Sequence, residues 1–129
     1  MSDNNTAKKL LVVEDEAFLR DLYIEILSDE GFEIDSAADG QEGLAKIQQG
    51  GYDLVLLDIV LPKMDGIEVL KALKKNPAKK PNGPIVMLTN LGQEAVISEG
   101  VALGVRGHII KSDYTPDQLI HEVKELLST

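Results

Sequence analysis

The chain has 129 residues, 22 acidic against 13 basic side chains for a net charge of −9, and no cysteine. That length suits one domain with one core and no need of a structural metal, and the missing cysteine excludes thiolate catalysis, Cys-ligated zinc and disulfides. The acidity argues against direct nucleic-acid binding or attachment to an anionic membrane, which need basic surface. With no signal-peptide pattern or spanning-length apolar run, the expectation is a cytoplasmic protein.

Met1 to Ala7 is polar and reads as a flexible tail. Lys9 to Val13 (KLLVV) predicts a first buried strand, stopped by the acidic triplet Glu14, Asp15 and Glu16. Ala17 to Glu30 sets Leu19, Leu22, Tyr23, Ile26 and Leu27 at helical spacing, and Gly31 follows as a stop. Phe32 to Ala37 alternates apolar and polar residues, as an edge strand with one wet face does. Asp39 then caps a helix to about Gln49, with Leu44 and Ile47 inward and Gly50-Gly51 ending it.

Asp53 to Leu57 is an apolar third strand that delivers Asp58 to its end. Ile67, Leu70 and Leu73 mark a third helix over Gly66 to Lys75, and Asn76 to Pro84, rich in Pro, Lys, Asn and Gly, reads as a surface connection. Ile85 to Leu88 predicts a fourth strand ending in Thr89, Gly92 to Leu103 a fourth helix despite Gly100 within it, and Val105 to Ile110 a fifth strand ending at Lys111. Pro116 to Leu127 completes the pattern as a helix with Leu119, Val123, Leu126 and Leu127 inward and Thr115 or Asp113 near its cap. Five alternations of strand and helix with apolar central strands call for an α/β fold, a parallel sheet covered by helices on both faces through right-handed crossovers. The expected organisation is a tail over 1–7 and one domain over 8–129, with no output domain.

Asp58 is the residue around which this pattern turns. Alone, a carboxylate ending a buried strand is as well explained as a turn cap. In a parallel sheet, however, all strands point their C-terminal ends at one edge. That edge collects Glu14 and Asp15, Asp58, Thr89 and Lys111. Close carboxylates repel by roughly 4 kcal/mol per pair at an effective dielectric near 20, and a divalent cation relieves this. Oxygen ligands without His or Cys favour Mg²⁺, with Mn²⁺ as the alternative. A carboxylate beside such a metal can attack phosphorus, with Lys111 supplying positive charge and the Thr89 hydroxyl a hydrogen bond. Each residue also has an ordinary reading: a solvated acidic turn, a strand-end cap, a surface charge.

The order Glu14-Asp15, then Asp58 followed by Pro62 and Met64-Asp65-Gly66, then Thr89 and Lys111, resembles the receiver domain of two-component response regulators. The resemblance covers essentially the whole chain beyond the tail and is nearest to the stand-alone, chemotaxis-regulator type. It implies a flavodoxin-like (βα)5 sheet of order 2-1-3-4-5 that is no enzyme beyond catalysing its own phosphorylation and dephosphorylation. Asp58 would accept a phosphoryl group from a sensor histidine kinase or a histidine phosphotransfer protein. Mg²⁺ would be held by Asp15, Asp58, the backbone carbonyl of Val60 and, through water, Glu14. Thr89 and Lys111 would bind the phosphoryl oxygens. Thr89 and His108 would switch, reshaping the face of the fourth helix, fifth strand and last helix for a downstream protein or for a homodimer through that same face.

Three positions depart from the family pattern. His108 stands where Tyr or Phe is commoner, Ser112 where a Pro usually follows the lysine, and Asn90 where a small residue is usual. A cis Lys111–Ser112 peptide thereby loses its usual support, since the non-proline form costs about 3 kcal/mol. Asn90 would narrow access to Asp58. Val60 and Leu91, each two residues beyond a site residue, are apolar and cannot orient a hydrolytic water, so a long-lived phosphoaspartate is expected. His121 reads as a solvated position on the last helix. Three other readings compete. A haloacid-dehalogenase-like phosphatase wants a second Asp where Val60 stands. A flavodoxin-like cofactor domain wants a phosphate-cradling loop where Glu14 to Glu16 stand. The last is a receiver-like interaction module that no longer switches.

Overall fold

The computed structural model describes residues 7–90 and 92–128. The elements are β1 (Lys9–Val13), α1 (Ala17–Asp29), β2 (Glu33–Ala37), α2 (Gly40–Gln49), β3 (Leu54–Asp58), α3 (Gly66–Lys75), β4 (Ile85–Thr89), α4 (Glu94–Ala102), β5 (Gly107–Ile110), a 3-10 turn over Lys111–Asp113, and α5 (Pro116–Leu127). All strand pairs are parallel and the sheet order is β2-β1-β3-β4-β5, as the resemblance implied.

The apolar runs are continuous because the central strands are covered twice. Leu11, Val13, Val55, Leu57 and Met87 face one core layer with Ile47, Ile67 and Leu70. Leu10, Val12, Leu54, Leu56 and Leu88 face the other with Tyr23, Leu27, Leu119 and Val123. β2 and β5 are the edge strands, and the outer positions of β2 are partly exposed.

Local chemistry fixes the helix starts that frame the upper edge. The Asp39 side chain accepts from the Glu42 N–H at the head of α2. Asp65 and Glu68 form a capping box at α3, and Thr115 and Gln118 form another at α5, where Pro116 fills the first turn. Thr115, not Asp113, is therefore the cap.

Two boundaries fall two residues short of the sequence pattern, and the other differences are of one residue. At Gly92 the backbone turns with φ of 84°, so α4 begins only at Glu94. The Val105 N–H closes on the Gly100 carbonyl at the end of α4, and β5 starts at Gly107. Apart from Ala7, the predicted tail lies outside the described residues, as does Leu91. There is no cis peptide among the described residues, so the Lys111–Ser112 bond is trans. No helix among the described residues is long and apolar enough to cross a membrane.

Candidate functional site

Strand register delivers the site. Val13 pairs with Leu57, Asp58 with Leu88 and Thr89 with Ile110, so the residues ending β1, β3, β4 and β5 share one edge. Glu14, Asp58 and Thr89 are buried there, at 1%, 3% and 1% exposure. Asp15 lies exposed at the mouth. One carboxylate oxygen from each of Glu14, Asp15 and Asp58 lies within 4.8 Å of the other two.

Lys111 is the electrostatic centre. Its Nζ donates to Asp58 Oδ2 at 2.7 Å and to Glu14 Oε1 at 2.8 Å. The other oxygens are also used: Glu14 Oε2 accepts from the Glu16 N–H at 3.0 Å, and Asp58 Oδ1 accepts from the Val60 N–H at 3.2 Å. Burial is the main force on Asp58 and pushes its carboxyl up to about 6; Lys111 pulls against it, and Glu14 adds to it. For Lys111, burial disfavours the charge, but Asp58 and Glu14 together raise its pKa, so the ammonium stays charged.

Three carboxylates against one ammonium leave a formal excess of two negative charges at the cluster. An all-oxygen donor set with that excess fits a divalent hard cation. Glu14, Asp15 and Asp58 thus bring together oxygen donors of the kind that Mg²⁺ takes.

The loops around these residues are built to keep the edge compact. Arg20 Nη1 donates to the Glu14 carbonyl at 2.9 Å and to the Asp15 carbonyl at 3.4 Å, pinning the turn that carries both acids. At Gly66 a Cβ would come within 2.7 Å of the Asp58 carbonyl oxygen, so only glycine lets α3 start this close to β3. The Gly66 N–H then donates to the Ile59 carbonyl at 2.8 Å.

The Thr89 hydroxyl donates to the Ile109 carbonyl at 3.5 Å, at the long limit for a hydrogen bond, so little holds it in place. His108 is exposed on β5, and His121 is exposed on α5 as expected. Val60 is 58% exposed. Asn90 is exposed, and its N–H donates to Gln93 Oε1 at 2.9 Å, shaping the approach to α4. Ser112 is exposed in the 3-10 turn. Sequence reasoning missed Arg20, because its partners are backbone carbonyls and its position on α1 is that of any surface arginine.

The response regulator receiver domain model matches residues 10–124. The transcriptional regulatory protein ResD of Bacillus subtilis (strain 168) is 39% identical over 125 residues, covering 97% of this chain and 50% of ResD. The chain spans about half the length of the curated relatives it matches. Among solved structures, a CheY-like receiver domain protein from Methanospirillum hungatei JF-1 is 34% identical, with a TM-score of 0.83 and 95% of each chain covered. Chemotaxis response regulator CheY4 of Vibrio cholerae is 32% identical with a TM-score of 0.78, covering 94% of this chain and 99% of CheY4.

Proposed function

The chain belongs to the response regulator receiver domain family, and from that premise we propose that Asp58 is the phosphoacceptor of a phosphorylation-dependent switch in a two-component phosphorelay. The observation that carries the reading is the single ammonium of Lys111 spanning Asp58 and Glu14, with Asp15 in reach of both. An Asp58 oxygen attacks the phosphorus of a phosphohistidine on a sensor histidine kinase or histidine phosphotransfer protein. The P–N bond breaks, the imidazole leaves with its electron pair, and the new P–O bond makes an acyl phosphate. Asp15, Asp58, the Val60 carbonyl and, through water, Glu14 would hold Mg²⁺, which would supply positive charge to the transferring oxygens when bound.

Lys111 already lies against the reacting carboxylate and follows the charge onto the phosphoryl group. Thr89 leaves its long bond to Ile109 and donates to a phosphoryl oxygen, and His108 turns inward behind it. The event is read at the face formed by α4, β5 and α5, by a downstream protein or by a second copy. Receiver domains serve as response regulators rather than as enzymes, and the chemistry of this reading is confined to the chain's own Asp58. Phosphotransfer from such a donor would take place in the cytoplasm, and that is where the proposed switch would act.

Incubation with acetyl phosphate and Mg²⁺ tests the reading. One hydroxylamine-sensitive, Phos-tag-shifted species is expected for the wild type and none for Asp58→Asn. Retained labelling in Asp58→Asn would move the acceptor elsewhere.

A further inference from the structure

Among the described residues, five of the eleven lysines of this acidic chain are matched by a carboxylate, and Lys9 Nζ lies over the Tyr52 ring. Lys46 pairs with Asp35 and Glu42, Lys63 with Asp39, Lys71 with Glu99, Lys111 with Glu14 and Asp58, and Lys124 with Glu30. Of the exposed lysines with no ion-pair partner among the described residues, Lys8 precedes β1, whereas Lys74, Lys75, Lys79 and Lys80 form a group. They lie together at the end of α3 and in the loop after it (KKNPAKK). Helix-end electrostatics accounts for Lys74 and Lys75, which occupy the last turn. It does not reach Lys79 and Lys80, which lie past the helix.

The loop that carries them is firmly mounted. The Lys79 N–H donates to the Gln48 carbonyl at 2.8 Å, Asn82 Nδ2 to the Ile47 carbonyl at 3.0 Å, and the Gly83 N–H to the Tyr52 carbonyl at 2.7 Å. In return the Gly51 N–H donates to the Pro81 carbonyl at 3.2 Å and the Tyr52 N–H to Asn82 Oδ1 at 3.1 Å. At Gly50, with φ of 81°, a Cβ would run into the Lys80 carbonyl; at Gly83 one would run into the Asp53 carbonyl. Pro77, Pro81 and Pro84 restrict the rest. Two unmatched cations are thus held on an ordered loop and two on the helix before it, which lowers the entropy lost when a ligand binds.

Their place is the edge opposite Asp58. The loop feeds the start of β4, where Ile85 pairs with Val55, and the length of that strand, roughly 16 Å, separates it from Thr89.

We propose that Lys74, Lys75, Lys79 and Lys80 form a docking surface for a short acidic segment of a partner protein. A short segment can lie on these lysines alone. A DNA duplex or an anionic bilayer presents charge over a far wider front, so the remaining acidic surface of a chain with net charge −9 opposes it beyond a screening length of about 8 Å. The surface does not depend on the phosphoryl chemistry at the other edge.

Fluorescence anisotropy of the full chain with a fluorescein-labelled Glu/Ala repeat peptide tests this. Saturable binding is expected, weakening as NaCl rises from about 50 to 200 mM. Removing two charge pairs in Lys79→Gln/Lys80→Gln should cost about tenfold in affinity, Lys79→Arg/Lys80→Arg should restore it, and Lys124→Gln should leave it within about twofold. Absence of saturable binding, equal binding by the double Gln variant, or tighter binding of duplex DNA or phosphatidylserine vesicles in the same buffer would overturn the proposal.

Discussion

Asp58 holds a charge that its surroundings resist. Its folded-state pKa of about 6 lies above its ordinary value of 3.8, with burial as the main cause. A raised pKa means that folding favours the protonated carboxyl, so this group's contribution to stability is fully present below about pH 4 and is lost as pH rises through 6. Without added Mg²⁺, Asp58→Asn should flatten stability across that window and stabilise the fold at pH 7 by roughly 3 kcal/mol, measured by urea unfolding. Unchanged or lowered stability at pH 7 would mean that Lys111 more than offsets the burial. On the proposed reading, the neighbours would set how long the acyl phosphate lasts. Val60 is apolar and exposed, and Leu91, outside the described residues, is apolar too; neither side chain can orient a water. The phosphoaspartate should therefore persist for minutes, followed by decay of the Phos-tag-shifted band, and loss within seconds would contradict this.

At the scale of elements, the strands were legible because double coverage makes them apolar throughout, and the helix starts because Asp39, Asp65 and Thr115 are cap residues by chemistry. The start of α4 was not legible, because Gly92 marks a left-handed turn, which a glycine in a helical pattern does not reveal. The convergence of Glu14, Asp15, Asp58, Thr89 and Lys111 followed from parallel strands alone. The double contact of Lys111 did not, since Glu14 lies 97 positions away and nothing local signals the pairing. Nor did the reason for Gly40, where a Cβ would run into the Met64 carbonyl in the loop between β3 and α3. Gly40→Ala must displace either α2 or that loop. It should cost about 2 kcal/mol in urea unfolding, against the small gain expected from helix propensity. A stabilised variant would mean that the two elements are not in rigid contact.

The whole molecule separates its charge: carboxylates only partly neutralised by Lys111 at the C-terminal edge of the sheet, unmatched lysines at the other. The acidic edge should make stability cation-dependent. Mg²⁺ at ten times its dissociation constant should add about 1.4 kcal/mol, a rise of several degrees in Tm, and Asp15→Asn should remove most of that rise. An equal rise in Asp15→Asn would place the cation elsewhere. The central claim, that Asp58 is the acceptor, is tested most directly by reducing the acetyl phosphate-labelled protein with borohydride and mapping its peptides by mass spectrometry. Reduction converts a phosphoaspartate to homoserine, which the account predicts at position 58 and at no other aspartate. Homoserine at Asp15, or at any position but 58, would contradict it.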